Sequence, residues 1–198
     1  MSAEVATVTV IAAPKPKRWS KQEYRHLLEQ AGADRLRYEL IDGEIIETRP
    51  QTDAHSYGLS LADYAARKVF RKGFVVRLQS PLDLSHSSEP EPDLMVVKGE
   101  VRNLRKHPKT AELIIEIAWG SLQYDRRTKG SLYASKGIAD YWIVNLHDSV
   151  VEVRRRPVKD ANAQFGYSYA ETEIFKRGDT VKPLAAPKSR VAITDLLP

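Results

Sequence analysis

Two segments constrain the fold more than any other feature: "DLMVV" at residues 93–97 and "ELIIEIA" at residues 112–118. Each is too short for a buried helix and nearly continuous in apolar content. Strands of that kind are normally covered on both faces. A chain containing them therefore needs a sheet with layers packed above and below it, which selects the mixed α/β class. The covering layers are legible nearby. "WSKQEY" opens a helix with Ser20 as N-cap, Glu23 completing a capping box, and Trp19 and Tyr24 spaced as a hydrophobic staple. Tyr24, Leu27, Leu28 and Ala31 form its apolar face, and Gly32 is placed to end it. A longer helix is predicted over residues 54–72, with Leu59, Ala62, Ala66, Val69 and Phe70 on one side and Gly73 as its stop.

The remaining elements follow from the same periodicities. Asp42-Gly43 within "YELIDGEIIE" predicts a tight hairpin. "FVVRLQ" (74–79) is a strand, residues 124–136 a helix, and "DYWIVNL" (140–146) and "SVVEVRR" (149–155) two further strands. Residues 157–198 read as a terminal hairpin and a closing segment. At 198 residues the chain fits one domain, residues 19–198, preceded by a flexible tail over residues 1–18. No apolar run approaches a membrane span and residues 1–18 lack a secretory pattern. The absence of cysteine excludes disulfides and thiolate metal sites, which suits a cytoplasmic location. A net charge of +5 is compatible with a polyanionic partner and with many proteins that bind none.

Two groups of residues carry chemistry. Asp93 begins one buried strand and Glu116 lies within the next, flanked by isoleucines, so both carboxylates project from one sheet end if the strands pair. Two such charges repel unless a cation neutralises them, and a hard divalent ion such as Mg²⁺ takes oxygen ligands. The plainer alternative has Asp93 capping a turn and Glu116 paired with a surface lysine. Further on, Asp125, Lys129 and Tyr133 recur at a spacing of four and share a helix face. Lys129 beside a metal-bound water would stabilise charge in phosphoryl transfer; otherwise Asp125–Lys129 is an ordinary helix pair.

Taken in order, "YELIDGEII", "RPQTDAH", "EPEPDLMVV", "LIIEIA", "SLQYDRRTK" and "GIADYWIVN" resemble the Uma-type family of restriction-endonuclease-like proteins, within the PD-(D/E)XK nuclease superfamily. The resemblance runs from Trp19 to Arg155. It implies a restriction-endonuclease-like mixed β-sheet flanked by helices, with an N-terminal helix and hairpin and a C-terminal antiparallel extension. Pro92-Asp93 is similar to the "PD" of the superfamily and Glu116 to its "(D/E)". The usual lysine position is Ala118 here, and the resemblance implies that Lys129 on the following helix takes its place. Glu39 and His55 also match recurring family positions, as a further metal ligand or proton carrier; a helix-start hydrogen bond is the alternative for His55. Glu44 reads as a solvated strand residue.

The implied activity is hydrolysis of phosphodiester bonds in DNA by a Mg²⁺-dependent endonuclease, with Mn²⁺ as a substitute and a homodimer as the assembly. The competing reading is a nuclease fold that binds nucleic acid or a protein without cutting. Basic segments at 102–109, 125–130 and 152–157 are candidate phosphate contacts or simply solvated faces. Trp119, where similar sequences carry small or acidic residues, is either a stacking surface for a base or a core aromatic. The core placement is the expected one.

Overall fold

The structure is a computed structural model that describes residues 15–31, 37–48 and 51–198. The expected helix stop at Gly32 and residues 1–14 of the expected tail lie outside the described residues. Helix α1 (Lys21–Ala31) starts at the predicted capping box. The Ser20 N–H and hydroxyl both donate to Glu23 Oε2, at 2.9 and 2.8 Å, and the Glu23 N–H donates back to Ser20 Oγ at 3.2 Å. Of its expected apolar face, Tyr24 is buried, whereas Leu27 and Leu28 are exposed.

Strands β1 (Arg37–Ile41) and β2 (Glu44–Thr48) form the expected hairpin, with Ile41 opposite Glu44. Asp42 and Gly43 both have positive φ, at 49° and 75°, as a two-residue turn of matching twist requires. An antiparallel bridge between Leu40 and Glu89 then ties the hairpin to the loop preceding Asp93.

Helix α2 (Asp53–Val69) is N-capped by Thr52, which accepts from the His55 N–H. It ends three residues before the predicted boundary because Phe70 turns extended and buries its ring, edge to face with Phe74 at 5.2 Å. Six strands then form one sheet in the order β3 (Phe74–Leu78), β4 (Leu94–Lys98), β5 (Leu113–Ala118), β6 (Asp140–Asn145), β7 (Val150–Lys159) and β8 (Tyr167–Phe175). All neighbours are antiparallel except β5 and β6, which run parallel through the intervening helical segment. The mixed α/β class therefore holds. The terminal hairpin expected from residue 157 instead begins at Val150 and widens the main sheet. Strands β9 (Thr180–Val181) and β10 (Val191–Ala192) form a small separate pair, and Leu196 and Leu197 close the core.

Strand alternation decides what faces what. Leu113, Ile115 and Ile117 of β5 pack with α2 and the C-terminal segment, while Ile114 and Ala118 pack with Tyr133 and Tyr141 on the opposite face. Glu116 shares the parity of the second set. Burying each isoleucine is worth roughly 1.5–3 kcal/mol, and a one-residue slip would turn all of them over, so the register drags Glu116 inside. Gly58 governs the other layer. A Cβ there would meet Ile117 Cγ2 at 3.0 Å, so the missing side chain lets α2 lie close against β5, one turn beyond His55. Among the described residues no helix is long and apolar enough to cross a membrane.

Candidate active site

The five residues singled out in the sequence, Glu39, His55, Asp93, Glu116 and Lys129, come together in one cleft of about 640 Å³ at the end of the sheet. Each arrives from a different element: Glu39 from β1, His55 from the first turn of α2, Asp93 from the entry to β4, Glu116 from β5, and Lys129 from the helical segment over residues 122–135, here α3. The latter is one α turn (Leu122–Tyr124), a π turn (Asp125–Lys129) and a final α stretch (Gly130–Ser135). In the π turn the Gly130 N–H reaches back to Asp125 O, admitting one extra residue. Asp125 and Lys129 are both buried there, and π turns recur at functional positions.

Hydrogen bonds interlock the acids. Asp93 N–H donates to Glu116 Oε2 at 3.1 Å, and Ile117 N–H donates to Asp93 Oδ2 at 2.9 Å. His55 Nε2 contacts the same Asp93 oxygen at 3.1 Å. Glu116 Oε1 accepts from Lys129 Nζ at 3.0 Å and from the Tyr133 hydroxyl at 2.8 Å. Lys129 Nζ also donates to Glu39 Oε1 at 3.1 Å, leaving Glu39 Oε2 buried without a hydrogen-bond partner among the described residues. His55 Nδ1 and the Tyr124 hydroxyl are unpartnered in the same way.

The charges do not balance. Glu39, Asp93, Glu116 and Asp125 surround a single ammonium. Burial works against the charge on Lys129, but the four carboxylates outweigh it and raise its pKa well above the ordinary range. Burial pushes Glu116 well up as well; Lys129 offsets this, and repulsion from Asp93, Asp125 and Glu39 adds to it. Asp125 is raised to about 6, chiefly by burial, with Lys129 and the Ser121 hydroxyl at 2.6 Å opposing. Asp93 goes the other way: burial is outweighed by the His55 hydrogen bond and charge, Lys129 and the Ile117 N–H, so its pKa falls. Adjacent acids with pKa values driven apart are what acid–base and cation-binding sites require.

A divalent cation suits this chemistry in charge and donor type. The deficit of positive charge is large, every free donor on the acids is oxygen, and Glu39 Oε2 is an unsatisfied acceptor. Among the described residues, however, no three His, Asp or Glu side chains meet as a ready metal cluster, because Lys129 lies between Glu39 and Glu116.

Other expectations need correction. Trp119 is not a core aromatic: it lies just beyond the end of β5, is 54% exposed and lines the cleft. Much of the basic charge is spoken for within the fold. Arg126 and Arg154 pair with buried Glu152, and Arg155 pairs with buried Asp140. Arg102, Arg105, Lys106 and Lys109 remain exposed. Glu44 is exposed as expected and pairs with Arg18 at 2.9 Å. Gln79 carried no signal in the sequence, yet its backbone is left-handed at φ 44° and its side-chain amide approaches Asp93 Oδ1 at 3.4 Å.

Residues 22–194 match the family described as "Uma2: Putative restriction endonuclease". The fold is similar to the crystal structure of "a putative nuclease belonging to DUF820" from Anabaena variabilis ATCC 29413. The TM-score is 0.64 at 21% identity, over 89% of this chain and 96% of that one. At that identity the likeness bears on the fold alone. No curated protein matches the chain.

Proposed function

The chain belongs to the Uma2 family, described as putative restriction endonucleases, and from that premise we propose that it hydrolyses phosphodiester bonds of nucleic acid, as a divalent-metal-dependent endonuclease acting on DNA. The observation that carries the proposal is the convergence of Glu39, Asp93 and Glu116 around Lys129 in one cleft. In this reading Asp93 and Glu116 hold Mg²⁺ or Mn²⁺, with Glu39 Oε2 completing the donors. The ion would supply charge neutralisation and Lewis-acid polarisation of the scissile phosphoryl oxygen.

The protein's own groups do the rest. Lys129 Nζ orients the attacking water and balances charge that develops on the phosphoryl group. His55 fixes Asp93 through its Oδ2, and Tyr133 fixes Glu116 through its Oε1. One such site serves one strand, so a homodimer is the assembly that would cut a duplex through both strands.

A nuclease fold that binds without cutting is favoured by one feature, the Lys129 bridge between Glu39 and Glu116, which already supplies a counter-charge. Calorimetric titration with Mn²⁺ separates the two. Binding by the wild type that is lost in Glu116→Gln supports the metal site. A wild type that takes up no ion, with DNA present as well as without it, supports the non-cutting protein.

A further inference from the structure

We propose that Trp119 is a stacking platform for a nucleobase, so that the cleft takes nucleic acid whose base beside the scissile phosphate is unpaired, either single-stranded or locally opened. The inference rests on the nuclease reading above and narrows its substrate.

Position comes first. Trp119 follows Glu116 by three residues, where β5 has ended at Ala118, and it lines the same cleft as Glu116, Asp93 and Lys129. A strand whose phosphate reaches those acids brings its neighbouring base to this wall. Trp119 is also available. Its relative exposure is 54%, against 1% for Trp142, and among the described residues its ring has no aromatic or cationic partner and its indole N–H makes no hydrogen bond. Gly120 beside it adds no side chain to the cleft, and a Cβ built there would meet nothing within 4 Å.

Charge makes stacking the more effective contact here. The cleft is lined by Glu39, Glu47, Glu91, Asp93, Glu116 and Asp125, against the single ammonium of Lys129. Beyond the single phosphate that a bound ion and Lys129 would engage, such a lining does not attract the flanking phosphates, which are the usual source of affinity. Stacking on an aromatic face does not depend on charge and tolerates any base. A paired base inside a duplex is stacked on both faces and presents none to an indole, which is why the proposal specifies an unpaired one.

The test is fluorescence anisotropy with labelled oligo(dT) of about 12 nucleotides, an abasic oligomer of equal length, and a duplex of equal length. The probes are titrated with the wild type, Trp119→Phe and Trp119→Ala. Wild type should bind oligo(dT) about tenfold more tightly than Trp119→Ala does, with Trp119→Phe close to wild type. The abasic strand should reduce the wild type to the level of Trp119→Ala and leave Trp119→Ala unchanged. Equal wild-type binding of the oligo(dT) and abasic strands overturns the proposal, as does full affinity in Trp119→Ala; the nuclease reading survives either result. A wild type that binds none of the three probes overturns both.

Discussion

Asp93 and Glu116 clamp each other's strands: the Asp93 N–H donates to the Glu116 carboxylate at 3.1 Å, and the N–H following Glu116 donates to the Asp93 carboxylate at 2.9 Å. The two acids are thus part of the framework as well as of the cleft. Asp93→Ala is therefore expected to do more than abolish the proposed metal binding. It strands the buried Ile117 N–H, at a cost of about 1–3 kcal/mol. Asp93→Asn retains an acceptor for that N–H and should recover most of the stability while still lacking Mn²⁺ binding. Thermal unfolding and Mn²⁺ titration of both variants check this; an Asp93→Ala protein as stable as wild type would contradict it.

Lys129 is the shared counter-charge of Glu39 and Glu116. Lys129→Met should lower stability at pH 8 by about 3–5 kcal/mol, because it leaves carboxylates buried without their cation. At pH 5 the loss should shrink, since the stranded acids can take up protons. Adding Glu116→Gln should restore part of the stability, with a coupling of at least about 1 kcal/mol. Urea unfolding of the two single variants and the double variant measures it. Additive effects would mean that the ammonium and Glu116 do not interact.

Asp125 gives a pH dependence of known sign. Its folded pKa is about 6 against an ordinary 3.8, so between those values the folded protein keeps a proton that the unfolded chain has released. The Asp125 contribution to stability therefore falls as pH rises from about 4 to about 6, then levels off. Asp125→Asn can still accept from Ser121 and never ionises. In chelator-containing buffer it should exceed wild type by about 1–3 kcal/mol at pH 7.5 and match it near pH 4. Unfolding curves across that range test the claim, and a gain that does not vary with pH would sink it.

Gln79 holds Asp93 from outside the strands, and its left-handed backbone costs a non-glycine residue roughly 1–2 kcal/mol. Gln79→Gly should relieve that strain and Gln79→Ala should not, so the glycine variant should be more stable than the alanine variant by about 1 kcal/mol. Both lose the amide contact to Asp93 Oδ1, and both should turn over an oligonucleotide more slowly than wild type. Equal melting temperatures for the two variants would show that the strain is not retained in solution.

Much of the architecture was legible because it is local. The Ser20–Glu23 box, the Asp42-Gly43 turn and the apolar strands around Leu94–Lys98 and Leu113–Ala118 depend on residues a few positions apart. The boundary errors have local tertiary causes. Phe70 left its helix to meet Phe74, and the π turn at Asp125–Lys129 changed the pitch on which the spacing of Asp125, Lys129 and Tyr133 had been read. Leu27 and Leu28 form an apolar stripe by spacing, but the layer that would cover them is absent among the described residues.

The sequence by itself determined which segments are strands and helices, and it marked Glu116 as a charge that apolar neighbours would pull inside. Only the tertiary structure decided what that charge meets. Lys129 lies 90 residues from Glu39, and their contact exists because the hairpin is pinned at Glu89 and α3 crosses from β5 to the parallel β6. The same long-range packing sent Arg126, Arg154 and Arg155 to buried acids and left Trp119 in the open. Periodicity records which side of an element seeks the core. It carries no information on which distant side chain will be waiting there, because sheet order and inter-layer packing set those distances.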